Sequence, residues 1–223
     1  MAKNFTELVF IMDRSGSMAG LEADTIGGFN SMIEKHRQAE GKMRVSVVLF
    51  DDVTEVVYDR VKIKKIEPMT DAQYYVRGCT ALLDALGGAI HHIGILHKNM
   101  DPEKRPNKTL FIIITDGLEN ASRHYDYARV KHMVERQKAK YGWEFLFLGA
   151  NIDAIGEAAK IGIHASRAVN YERDKTGTMK NFKAIEKVTM MYREAASPMD
   201  AMAVLEDGEW AEEIREDYSR RHR

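Results

Sequence analysis

The chain has 223 residues, 44% of them hydrophobic, with 33 Lys and Arg against 34 Asp and Glu. That length suits one domain with a full core, and the charge balance excludes a global field drawing in nucleic acid or an anionic membrane. A single cysteine, Cys79, excludes an internal disulfide, and no apolar run approaches a bilayer span. The opening MAKNFTE lacks the basic start, apolar stretch and small-residue cleavage site of a signal peptide, so the expected setting is the cytoplasm.

Leu8–Met12 reads as a buried strand, and Leu21–Gln38 as a helix with Ile26, Phe29 and Ile33 at helical spacing. Val45–Phe50 and Thr54–Val61 are two strands separated only by Asp51, Asp52 and Val53, so the third is expected to be antiparallel and at a sheet edge. Ala81–Leu96 is a helix, and Leu110–Ile114 is apolar on both faces, as a central parallel strand requires. Tyr125–Lys138 is a helix, Phe145–Leu148 a fifth strand, Ala154–Lys160 a short helix and Arg167–Tyr171 a peripheral sixth strand. Thr178–Glu194 closes the series, with Met179, Phe182, Ile185 and Met191 expected on one side. The implied fold class is α/β: a doubly wound, mostly parallel six-stranded sheet with one antiparallel edge strand and helices on both faces. Pro198 suggests a boundary, dividing the chain into a domain over 1–196 and a tail over 197–223 with a short helix or partial disorder, in which Trp210 and Ile214 are the docking candidates.

Three segments place oxygen-bearing side chains where strands should end. The first is IMDRSGSMAG, residues 11–20, with Asp13, Ser15 and Ser17 at alternate positions. The second is Thr80, just before the Ala81–Leu96 helix, and the third is Asp116 with Gly117, directly after Leu110–Ile114. In a doubly wound sheet, ligands bind beyond the carboxyl ends of the strands, and neighbouring first and fourth strands would bring Asp13 and Asp116 together there. Taken singly, the first segment reads equally well as a turn, Thr80 as a helix N-cap and Asp116 with Gly117 as a turn. Taken together, two carboxylates and three hydroxyls form an all-oxygen donor set suited to a hard cation, magnesium first, with manganese or calcium as alternatives.

Asp13, Ser15, Ser17, Thr80 and Asp116 resemble, in order and placement, the metal-ion-dependent adhesion site of von Willebrand factor A domains. The resemblance runs from about Phe5 to Glu194, and within the family it is similar to compact, single-domain bacterial members, including relatives of tellurite-resistance proteins. It implies that Ser15, Ser17 and Thr80 bind the metal through their hydroxyls, while Asp13 and Asp116 hold coordinating waters and orient the serines. It also implies a protein partner whose Glu or Asp carboxylate completes the coordination, with no role for nucleic acid or membrane. The expectation is therefore a non-enzymatic interaction module. The alternative is a metal-dependent hydrolase of phosphate esters, with Ser15 or a metal-bound water as nucleophile. P-loop, G-x-G-x-x-G, H-E-x-x-H and G-x-S-x-G signatures are absent, and no general base accompanies the motif.

Other residues carry weaker readings. Arg14, between the ligands, could meet an acidic partner or pair structurally. Glu119, Asn120, Asn151 and Asp153 are candidates for a second contact patch, and Tyr74, Tyr75 and Arg77 for a rim. Cys79 reads as a small loop residue, His91, His92 and His97 as surface or partly packed, and Lys62, Lys64 and Lys65 as the solvated side of an edge strand.

Overall fold

A computed structural model of the chain describes residues 4–222. Six strands form one sheet: β1 (Phe5–Asp13), β2 (Lys42–Phe50), β3 (Thr54–Lys62), β4 (Lys108–Thr115), β5 (Glu144–Ala150) and β6 (Ala168–Tyr171). Their spatial order is β3-β2-β1-β4-β5-β6, all parallel except β3, which pairs antiparallel with β2 at one edge. The helices are α1 (Glu22–Gln38), α2 (Leu82–Asn99), α3 (Tyr127–Tyr141), α4 (Ala154–Lys160), α5 (Lys175–Glu194), α6 (Pro198–Glu206) and α7 (Glu212–Arg221). The doubly wound α/β architecture expected from the alternating pattern is present, and each predicted strand and helix is found, most of them a few residues longer.

The central strands are apolar on both faces because each face is covered. Leu8, Phe10 and Met12 of β1 join Leu110, Ile112 and Ile114 of β4 in a core beneath α1 and α5. Val9, Ile11, Phe111 and Ile113 face the opposite core, beneath α2, α3 and α4. Local chemistry sets the helix ends. Asp126 caps α3 by accepting from the Arg129 amide at 2.8 Å, and α3 stops at Gly142, whose φ of +63° is left-handed. Asp174 caps α5 through the Gly177 amide at 2.7 Å. At its other end Lys108, buried at the start of β4, donates to the carbonyls of Arg193 and Ala195 at 2.6 and 2.8 Å.

Two expectations about packing are corrected. Met179 and Met191 are 56% and 44% exposed, because the buried stripe of α5 runs through Phe182, Ile185, Val188 and Tyr192 and leaves both methionines on its flanks. His97 is buried rather than superficial: its Nε2 meets Glu7 Oε2 at 2.6 Å inside the protein. Glu7 is also gripped by Arg60 through Nε and Nη2, and although burial pushes its carboxyl up, bonds from His97 and Arg60 hold it below the usual range.

Residues 198–221 form α6, a 3-10 turn over Glu209–Ala211 and α7. Ala201, Leu205, Trp210 and Ile214 are buried in the α1/α5 core, so this segment extends the same hydrophobic layer. Trp210 Nε1 donates to the Ser166 carbonyl at 3.3 Å, and Lys180 of α5 meets Asp217 at 2.6 Å. Among the described residues no helix is long and apolar enough to cross a membrane.

Candidate metal centre

β1 and β4 are neighbours in parallel register, with Met12 opposite Ile114, so the residues that follow both strands emerge side by side. Asp13 is buried, and both its oxygens are engaged. Oδ1 accepts the Ser15 amide at 2.7 Å and Oδ2 accepts the Thr115 hydroxyl at 2.6 Å. The first bond folds the loop back on itself, and a 3-10 turn over Gly16–Met18 then presents the serines. Ser15 Oγ and Ser17 Oγ lie 3.0 Å apart, and Ser17 Oγ donates to Asp116 Oδ1 at 2.5 Å. Asp13, Ser15, Thr80 and Asp116 are all buried, while Ser17 is exposed at the mouth.

Thr80 reaches the same point from the loop before α2. Its backbone is clamped: its amide donates to Asn120 Oδ1 at 2.9 Å, and its carbonyl accepts from the amides of Asn120 and Ala121 at 3.0 and 3.2 Å. Its hydroxyl does not cap α2, which overturns the N-cap reading. Glu119 Oε2 and Ser122 Oγ instead accept the Leu83 and Asp84 amides, at 2.8 and 3.0 Å. The Thr80 hydroxyl is thereby left facing Gly117. A Cβ on Gly117 would stand 3.1 Å from Thr80 Oγ1 and 3.4 Å from Ser17 Oγ, so the glycine keeps open a concavity between the two.

The structure thus brings all five sequence-selected residues to one place, and the donor set fits a hard cation. Among the described residues no three His, Cys, Asp or Glu side chains converge anywhere, so any such site depends on hydroxyls beside its two carboxylates. Burial, with the neighbouring Asp116 charge adding to it, pushes Asp13 up to about 6 despite its bonds to Thr115 and Ser15. Burial and the same two carboxylates also raise Tyr74 and Tyr171, whose phenols stay neutral.

Sequence reasoning missed Arg173. Immediately after β6, its Nε donates to Asp116 Oδ2 at 2.8 Å and to the Ser17 carbonyl at 2.6 Å, and its Nη2 donates to Ala19 O at 2.8 Å. The available signal was topological: Arg173 follows a strand that ends on the same side of the sheet as Asp13 and Asp116.

Several candidates have structural roles instead. Arg14 is fully buried; Nε meets Asp51 Oδ2 and Nη1 meets Glu55 Oε2, both at 2.7 Å, so it is not presented to a partner. Glu119 and Asn120 hold the β4–α3 loop to Thr80 and α2, and Asp153 caps α4 through the Gly156 amide at 3.0 Å. Asn151 occupies a left-handed turn, with φ of +53°. Tyr74 lies beneath the site, its hydroxyl donating to the Asp13 carbonyl at 2.6 Å, while Tyr75 is exposed under the guanidinium of Arg77. Cys79 is exposed beside Thr80. Lys64 and Lys65 lie in a 3-10 turn after β3, not on the strand.

No protein-family model matches the chain, and no curated protein matches its sequence. Among solved structures, it is similar to a von Willebrand factor type A protein from Catenulispora acidiphila, at 16% identity and a TM-score of 0.55, over 86% of this chain and 44% of that one. It is also similar to proximal thread matrix protein 1 from the mussel byssus, solved with a zinc-occupied MIDAS motif. That match has 16% identity and a TM-score of 0.56, over 84% of this chain and 46% of the other. A third is the manganese-loaded TRAP protein of Plasmodium vivax, at 16% identity and a TM-score of 0.53, over 80% and 73%. The chain spans less than half the length of the first two, and the likeness establishes a shared fold, that of von Willebrand factor A domains.

Proposed function

We propose that this chain is a metal-dependent protein-binding module. In it Asp13, Ser15, Ser17, Thr80 and Asp116 hold a divalent cation, and an acidic residue of a partner protein completes the site. One observation carries the reading: three hydroxyls and two carboxylates from three separate loops meet at the carboxyl ends of adjacent strands, around the space kept by Gly117. The zinc and manganese named for two proteins of the same fold support a divalent ion. Magnesium fits the donors here best, because a few carboxylates and several waters satisfy it.

When bound, such a cation supplies a Lewis-acidic centre that attracts a carboxylate. The protein's own contribution is to aim the donors. Asp13 is fixed by Thr115 and in turn fixes the Ser15 amide, while Ser17 is fixed by Asp116. Neutral hydroxyls donate little charge, so a bound cation stays electrophilic toward an incoming Glu or Asp. Arg173 adds a second positive group at the mouth and favours an anionic partner surface.

The test is a titration with Mn2+ and Mg2+ of wild type and Thr80→Ala, followed by partner capture with and without chelator. Wild type should bind one divalent ion at micromolar to millimolar concentration, and Thr80→Ala should bind it at least about tenfold more weakly. Capture should require the metal. Capture that survives chelation, or no divalent binding by the wild type, would refute the proposal.

A further inference from the structure

A second site lies away from the metal centre. α2 and α3 part along the face that covers β4 and β5, leaving a cleft of about 680 Å³ floored by Thr109 at the start of β4 and by Trp143, just before β5. Four of its lining side chains are Lys or Arg (Lys98, Arg105, Arg129 and Arg136), three more are His, and none is Asp or Glu. In a chain with 33 basic and 34 acidic residues, that segregation is a local feature. Some exposed lysines elsewhere find carboxylates, as Lys35, Lys104, Lys160 and Lys183 do, and others, such as Lys64, Lys131 and Lys187, do not. Among the described residues, Lys98, Arg129 and Arg136 make no ion pair.

Helix electrostatics do not account for the pattern. Lys98 in the last turn of α2 is where the helix dipole favours a cation. Arg129, however, lies in the first turn of α3, the end the dipole makes unfavourable for positive charge. It is nonetheless held in place, its Nη1 donating to the His124 carbonyl at 3.1 Å and its guanidinium lying 4.4 Å from the Tyr125 ring centre. Arg136 follows two turns later on the same face, about 10 Å along the helix. The floor is rigid as well. His97 is fixed by buried Glu7 at 2.6 Å and packs edge-on to Trp143, which stacks in turn on Phe111. Beside the cations the cleft offers Ile95, 46% exposed, and Tyr141, 44% exposed, as surface for an uncharged ring or chain.

We infer that this cleft binds a small organic phosphate of the nucleoside-diphosphate kind, its phosphates on the Lys98 and Arg136 side chains and its organic part against Ile95 and Tyr141, with Arg129 adding positive potential from the far end of the cleft. The volume lies in the small-ligand range, and guanidinium forks match phosphate oxygens in pairs. With no opposing carboxylate on the walls, the positive potential is concentrated in the concavity. The inference is independent of the metal reading.

The experiment is calorimetric titration of the full chain, in chelator and low salt, with ADP, inorganic pyrophosphate and adenosine. ADP and pyrophosphate should bind one-to-one, with adenosine at least about tenfold weaker; Lys98→Glu with Arg136→Glu should weaken ADP about thirtyfold or more. Backbone and indole NMR shifts of the unmodified protein supply an arm that needs no variant. ADP should move Trp143, His97 and Arg136 and leave Asp13 and Thr80 in place. No ADP or pyrophosphate binding below millimolar would overturn the inference. So would shifts centred elsewhere, affinity indifferent to the charge reversals in a folded variant, or binding of single-stranded RNA without ADP.

Discussion

Gly117→Ala isolates the geometry of the metal centre from its chemistry, because it removes no proposed ligand. The new Cβ would stand 3.1 Å from Thr80 Oγ1 and 3.4 Å from Ser17 Oγ, where comfortable contact needs about 3.5–4.0 Å. Thr80 must therefore retreat by several tenths of an ångström and Ser17 by less. Magnesium demands nearly ideal octahedral distances, and sites tolerate only about 0.2 Å of error, so the shift is enough to weaken a bond to the Thr80 hydroxyl. Displacing one such donor costs about tenfold to a hundredfold in affinity, or about 1.4–2.8 kcal/mol. Gly117 is not among the positive-φ glycines, so alanine adds no backbone strain, and the metal-free protein should be unchanged in stability or slightly firmer. Calorimetric Mn2+ titration and chemical unfolding in chelator measure the two quantities separately. A double mutant decides the cause: if alanine acts through Thr80, Gly117→Ala should cost little on a Thr80→Ala background. Full additivity, or wild-type Mn2+ affinity in the single variant, would refute the reasoning.

Two further outcomes follow from charges near and far from that site. Arg173→Ala removes a guanidinium 2.8 Å from Asp116 Oδ2, in a side chain 30% exposed, so its repulsion of a divalent ion is partly screened. Mn2+ should bind about tenfold more tightly to the variant, with the gain shrinking in high salt; weaker binding would mean that Arg173 serves to position Asp116. His36 is fully buried, with Nε2 2.9 Å from Thr189 Oγ1, and burial together with the nearby Arg193 lowers it to about 4. Its folded pKa lies below its unfolded value of 6.5, so its contribution is complete above about pH 6.5 and is lost as pH falls toward 4, by about 3 kcal/mol. Asp13, pushed up to about 6, moves metal-free stability in the opposite sense over much of that range, so the quantity to read is wild type minus His36→Gln. A difference that does not change between pH 7 and pH 4 would show that His36 is not held neutral.

The fold was legible because its strands announce themselves. Leu110–Ile114 is apolar on both faces only if helices cover both, and the short gap after Phe50 leaves room only for a hairpin and hence an antiparallel edge. The five proposed ligands were legible for a related reason: each stands at or just beyond a strand end or a helix start, positions that can be counted from the pattern. Contacts made by long side chains across the chain were not. Arg173 meets Asp116 from 57 residues away, and Arg193 reaches 157 residues back to the His36 carbonyl. No local periodicity encodes where a flexible guanidinium ends. The same limit explains Thr80. Its position before α2 invites an N-cap reading, yet Glu119 and Ser122, from a loop almost 40 residues away, take the α2 amides instead.

Arg14 shows how that hidden layer bears on the site. By alternation it points away from the Asp13 carboxylate and Ser15 hydroxyl on either side, and the structure turns it into the anchor of the loop that carries them. Its amide donates to Phe50 O at 2.8 Å and its carbonyl accepts the Arg77 amide at 2.9 Å, so its backbone ties β2 to the segment leading to Thr80. Its side chain meets Asp51 and Glu55. Burial pushes the Asp51 carboxyl up, but bonds from Arg77, the Val53 amide and Arg14 outweigh that and hold it ionised. The Gly16 amide adds a bond to Gly78 O at 3.2 Å, and the Tyr74 hydroxyl another to Asp13 O. The two loops that bear the ligand hydroxyls are thus joined through the β2–β3 hairpin, which supplies no proposed ligand itself. Hydroxyls are weak donors, and a set of them binds well only if little freedom remains to be lost when the ion arrives. The edge hairpin, through Asp51, is therefore part of what makes a hydroxyl-rich site workable.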